Sequence, residues 1–166
     1  MSIPAHMYVF ILIEVIFVTY LDIKYKKIKN FWSLLNIILA IVLFVTLPQI
    51  YILSFVSFQY SIVFIFVGFL LYLLKIMGGG DSKFLASFFL IIPYEMQDLV
   101  FFYLLISTVI IGVLFFFRNI ITKRVQLVAA LKQKDLQGVK SCFGTKFAYA
   151  PVILITWIFT GIKYFL

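Results

Sequence analysis

Six acidic residues stand in a chain of 166, and their positions decide what chemistry it can do. Glu95 and Asp98 follow Ile91-Ile92-Pro93, and Asp135 falls in a polar basic stretch. All three read as solvated surface charge. Glu14, Asp22 and Asp81 remain. Asp22 closes an apolar run and precedes Lys24, Lys26, Lys27 and Lys29, whereas Asp81 follows Gly78-Gly79-Gly80 and opens another run. Taken singly, Asp22 is a helix-end charge balanced by lysines, and Asp81 is an N-cap after a glycine turn. Taken together on one face, they are a general acid and a general base for attack of water on an amide. Two carboxylates placed close together cannot both ionise easily and share a proton. One oxygen then activates water while the other protonates the carbonyl or the leaving amine. Such chemistry needs no cofactor, no metal and no nucleophilic side chain. One cysteine, Cys142, and one histidine, His6, give neither a disulfide nor a zinc ligand set.

The elements that must position these carboxylates are set by composition. Apolar residues make up 65% of the chain, charged ones 12%, and mean hydropathy is +1.18. A soluble domain carries about a quarter charged residues, so this chain belongs in a bilayer. Its apolar runs cover about 7–21, 31–47, 51–77, 81–93, 99–117 and 147–166. Backbone groups in lipid must bond internally, and no run shows the alternation of a barrel strand, so each run is expected as a helix. The reading is all-α: one polytopic membrane domain over residues 1–166, with six transmembrane helices. Met1 to Met7 carries no cationic segment, so no removable signal peptide is expected.

Charge sets the orientation. The net charge is +8, and 13 of the 14 basic residues fall in connections that any six-span model puts on one side; only Lys163 lies opposite. Short loops rich in Lys and Arg stay in the cytoplasm. Both termini are therefore expected outside, with Asp22 and Asp81 at the cytoplasmic face of the cell membrane and Gln97 in an outer connection. The charge is topogenic, so no nucleic-acid partner is expected. Residues 118–146 form the one long connection, a basic cytoplasmic loop. Ile121, Val125, Val128 and Leu131 make a helical stripe there, expected as a surface helix or an extension of the fifth span, with Gly138 and Gly144 as stops.

The fourth run is short. From Ser82 to Pro93 it is 12 residues, about 18 Å of helix against a hydrocarbon core of roughly 30 Å. It must continue past Pro93 toward Asp98 or begin within the membrane at the glycine turn. Glu14, eight residues before Asp22, lies near mid-membrane, where it either bonds between helices or lines a wet cavity to the aspartates. Lys75 snorkels to the interface. Gly138 to Lys146 fails as a phosphate loop, because Thr145 precedes Lys146.

These residues carry a resemblance. Asp22-Ile23-Lys24-Tyr25-Lys26-Lys27-Ile28-Lys29-Asn30 resembles the D-x-R-x-x-x-I-P-N segment of the type IV prepilin peptidases. Gly78-Gly79-Gly80-Asp81-Ser82-Lys83-Phe84-Leu85 resembles their G-x-G-D-x-K-L-L segment, and Phe147-Ala148-Tyr149-Ala150-Pro151 their entry to the last span. The match is to the short branch that serves tight-adherence pili. The resemblance implies a membrane aspartic endopeptidase with Asp22 and Asp81 as the catalytic pair. Asn30, the three glycines and Lys83 belong to the surrounding motif. It implies prepilin-like substrates whose basic leader is cut after a glycine, on the cytoplasmic side. The chain departs from the pattern at Lys29 and Lys146, where the family has proline. It also lacks the C-x-x-C pairs of longer members, and with them any basis for N-methylation.

Two other readings fit less well. Intramembrane proteases of the signal peptide peptidase and presenilin kind share G-x-G-D but have about nine spans. A small cation transporter would spread acidic residues through the membrane depth, whereas Asp22 and Asp81 lie at one interface.

Overall fold

The computed structural model describes residues 3–74, 77–132, 135, 137 and 148–165, and no strand occurs among them. The helices are α1 (Ala5–Tyr25), α2 (Asn30–Thr46), α3 (Phe55–Leu73), α4 (Gly79–Leu90), α5 (Tyr94–Thr122), α6 (Arg124–Lys132) and α7 (Ala150–Phe165). The described residues are all-α, as the unbroken apolar runs predict. Three helices, α1, α3 and α5, are long and apolar enough to cross a membrane; α2 and α7 are shorter apolar helices. Lys75, Cys142, Gly138, Gly144 and Phe147 lie outside the described residues.

The protein is built for lipid, with polar residues turned inward. Phe10, Phe17, Ile41, Phe66, Val109 and Leu114 are exposed, while Ser33, Asn36, Ser57, Ser61, Ser107, Thr156 and Thr160 are buried. Lipid tails are as apolar as leucine, so close packing and interhelical hydrogen bonds hold such bundles together. Two sets of helices result. In one, α1 and α5 pack on α7; in the other, α2 and α3 pack on α4. In the second set Gly68 lets α3 close on α4, since a Cβ there would collide with Ser82. In the first, Tyr8 stacks on Trp157 at 5.1 Å, and each side chain donates to the other's carbonyl at 3.2 Å. Phe88 meets Trp157 edge-on at 5.7 Å and joins the two sets.

The fourth element shows how a short helix ends inside the protein. α4 begins at the glycines, stops at Leu90 and does not continue past Pro93; Pro93 instead caps α5, which starts at Tyr94. Proline has no N–H to leave unbonded at a helix start, which is why the chain restarts there. The last carbonyls of a helix have no intrahelical partner. Here Tyr51 donates its hydroxyl to the Ile91 carbonyl at 3.0 Å. The Gln97 amide nitrogen lies 3.0 Å from the Phe89 carbonyl, 3.1 Å from that of Ile92 and 3.0 Å from that of Ser57. Gln97 is therefore not an exposed outer residue: it is 1% exposed and ties the α4–α5 turn to the start of α3. Nearby, Tyr60 donates to Asp98 at 2.6 Å.

α5 is longer than its apolar run. Its 29 residues reach about 43 Å at 1.5 Å each, more than a hydrocarbon core of roughly 30 Å. After a break at Lys123 the chain resumes as α6, and Ile121, Val125 and Val128 are exposed.

The six-span arrangement has a direct check. Cysteines placed at the exposed Lys27 and Lys132 should react with an impermeant thiol reagent from the cytoplasmic side, and one at exposed Glu95 from the other. Labelling of positions 27 and 95 from the same side overturns it.

Candidate active site

The inward face of α1 carries Ile11, Glu14, Val15, Val18, Thr19 and Asp22. This spacing of three and four residues is one stripe of a helix, so Asp22 points into the protein and is 2% exposed. The helix ends just beyond it. Lys26 adopts φ 50°, ψ 40°, and its N–H bonds to the Asp22 carbonyl at 2.7 Å. Left-handed backbone at a residue with a Cβ costs roughly 1–2 kcal/mol. Here it closes α1 and turns the chain toward α2.

The Asp22 carboxylate is held by the start of the last helix. Ala150 N–H donates to it at 3.0 Å, and Tyr149 N–H donates as well. The first N–H groups of a helix lack intrahelical acceptors, and that end carries a partial positive charge. A carboxylate therefore suits the N-terminus of α7 on both counts. The sequence offers Tyr149 and Ala150 only as part of an entry motif; that their backbone serves Asp22 is visible only in the fold.

Asp81 is held by a second helix start. It is not the N-cap of α4. Gly78 takes that position with extended backbone, φ −75° and ψ 144°, and the helix begins at Gly79. Asp81 is then the third residue of the helix, and its Oδ2 accepts from Gly78 N–H at 3.2 Å. It is 8% exposed. Gly80 faces the connection between α1 and α2, and a Cβ on it would collide with the Ile28 carbonyl oxygen. That contact seats the connection directly on the first turn of α4. Asp22 and Asp81 consequently come within electrostatic reach of each other, and Tyr149 feels the charge of Asp81.

The remaining residues of interest lie elsewhere. Asn30 and Lys83 line a cavity of ≈330 Å3 between α2, α3 and α4, together with Ser33, Ile37 and Ser61. Lys83 is two residues beyond Asp81, about 200° around the helix, so this cavity opens on the other face of α4. Gly79 sits beside the Tyr72 ring. Glu14 is deep on α1, 4% exposed, with the Asn36 amide 2.8 and 3.0 Å from its two carboxyl oxygens.

With this geometry in place, comparison with known proteins is informative. A family model described as the type IV leader peptidase family matches residues 9–117, a span that includes both Asp22 and Asp81. The protein is thus a membrane-embedded peptidase, a hydrolase. Within that class, the chain belongs to the type IV leader peptidase family. No curated protein and no solved structure matches it.

The glycine contacts separate two substitutions one residue apart. Gly80→Ala forces the Ile28 carbonyl to move and should lower stability by about 1–3 kcal/mol. The Cβ of Gly79→Ala meets Tyr72 at 3.5 Å, an ordinary contact, and should change stability by less than about 1 kcal/mol. Thermal unfolding of both purified variants in detergent tests the ranking; equal midpoints contradict it.

Proposed function

We propose that the protein is an aspartic endopeptidase that removes the basic leader from prepilin-like proteins at the cytoplasmic face of the cell membrane. The observation that carries this reading is that Asp22, in the last turn of α1 and bonded to the start of α7, lies within electrostatic reach of Asp81 in the first turn of α4. Family membership supplies the reaction class, and the carboxylates supply a means. Close carboxylates share one proton. The ionised one takes a proton from water as it attacks the scissile carbonyl, and the protonated one gives its proton to the carbonyl oxygen; the carboxyl now holding water's proton then gives it to the leaving amine as the other takes a proton back from the collapsing diol. Helix N-termini favour the ionised form, so the backbone of Ala150 and Gly78 helps define which oxygens stay free for water.

The position of the pair indicates the substrate. Lys24, Lys26, Lys27 and Lys29 follow Asp22, and loops rich in lysine lie on the cytoplasmic side. A substrate helix crossing from lipid to cytosol presents its end at that level. Its peptide bonds must leave the helix before water can attack. Glycine destabilises a helix by about 1 kcal/mol relative to alanine, so a glycine before the cut eases opening. The family resemblance points to the same residue.

Purified protein in proteoliposomes should cut a peptide with a basic leader, a glycine and an apolar helix. Asp22→Asn and Asp81→Asn should each lower cleavage by about a thousandfold or more, because residues acting as a unit fail together, while membrane insertion is unchanged. Substantial cleavage by either variant refutes the assignment. Cutting of a leaderless apolar helix at mid-membrane, with basic leaders untouched, favours a presenilin-like activity instead.

A further inference from the structure

One buried ionisable group takes no part in the chemistry above. Glu14 lies on the same inward stripe of α1 as Asp22. It is eight residues away, about 12 Å along the helix. Ionisable groups within a membrane span are costly and mark function by default, and the other buried positions on that stripe are apolar except for Thr19 and Asp22.

Its partner crosses to the other set of helices. Asn36 on α2 is fully buried, and its amide nitrogen, turned toward α1, lies 2.8 and 3.0 Å from the two Glu14 carboxyl oxygens. With the nitrogen on Glu14, the amide oxygen faces Ser87 Oγ of α4 at 3.5 Å and accepts when that hydroxyl turns from the Phe84 carbonyl, 2.9 Å away, toward it. A line of polar contacts thus runs from α1 through α2 to α4. Asp22 and Asp81 ride on the first and last of these helices. Ser87 is six residues beyond Asp81, about 9 Å, so the line sits a similar depth from both aspartates.

We propose that Glu14 and Asn36 are positioning residues that fix α1 against α2 and α4, and through them the spacing of Asp22 and Asp81; this rests on the peptidase reading above. Two contacts from one amide to one carboxyl restrain both the slide and the rotation of α1, which apolar side chains in lipid leave free. The helices carry that restraint to their cytoplasmic ends, and a misplacement of about 1 Å at reacting groups costs on the order of a hundredfold in rate.

The test uses the full chain in proteoliposomes with the basic-leader peptide described above. The double variant Glu14→Leu/Asn36→Leu removes the polar pair from an apolar span, so its thermal midpoint should hold or rise. Its kcat should fall about tenfold or more, with KM within about twofold. Glu14→Gln keeps an amide-to-amide pairing and should retain kcat within about threefold. The inference fails if the double leucine variant keeps wild-type kcat, if it does not fold, or if Glu14→Gln is as impaired as the leucine variant. Asp22→Asn in the same assay separates the two ideas. Full cleavage by Asp22→Asn removes the peptidase site itself, whereas its loss alongside an unimpaired leucine variant removes only the clamp.

Discussion

Every helix end inside this protein must find a hydrogen-bond partner that water does not supply. An unpaired backbone group in hydrocarbon costs several kcal/mol, and that constraint shapes the bundle. At the N-terminus of α7 the partner is the carboxylate of Asp22. At the N-terminus of α4 it is the carboxylate of Asp81, reaching back to Gly78. At the C-terminus of α4 it is Tyr51 and Gln97. The same contacts that let short helices end in place also hold the two carboxylates.

This arrangement explains why α4 can be only 12 residues long. A spanning helix surrounded by lipid would need roughly 20. α4 is lined along most of its length by α2 and α3, and its far end is closed by side chains from the α2–α3 connection and from α5. Its residues from Phe84 to Phe89 are all buried. It behaves as a core helix of a lipid-soluble protein, with Asp81 at the one end that meets the α1–α2 connection.

Much of this was legible in the residues. Long apolar runs mark α1, α2, α3, α5 and α7 because lipid demands continuous hydrophobicity, and Asp22 and Asp81 stand out because few acidic residues exist. The glycine run predicts a tight approach, and Gly80 makes one. The bounds of α4 and α5 were harder, since Pro93 sits inside one continuous apolar stretch and only the cap geometry tells whether it ends a helix or starts one. Asp81 reads as an N-cap from its place after glycine, but glycine itself can cap, which shifts the helix start by three residues. Gln97 reads as an outer loop residue because it lies between Glu95 and Asp98; its burial depends on carbonyls contributed by α3 and α4. The backbone donors at Tyr149 and Ala150 could not be foreseen, because no local pattern reveals a contact across most of the chain.

That last contact has a consequence for how the protein is made. Asp22 and Ala150 are 128 residues apart. During synthesis the first helix emerges and inserts long before the last one is translated. Until α7 arrives, the Asp22 carboxylate lacks the two amide donors that orient it, and the N-terminus of α7 has no acceptor until it reaches Asp22. The final helix therefore completes the hydrogen bonding of Asp22 on arrival, and a nascent or truncated chain carries that aspartate without the backbone frame that holds it in place.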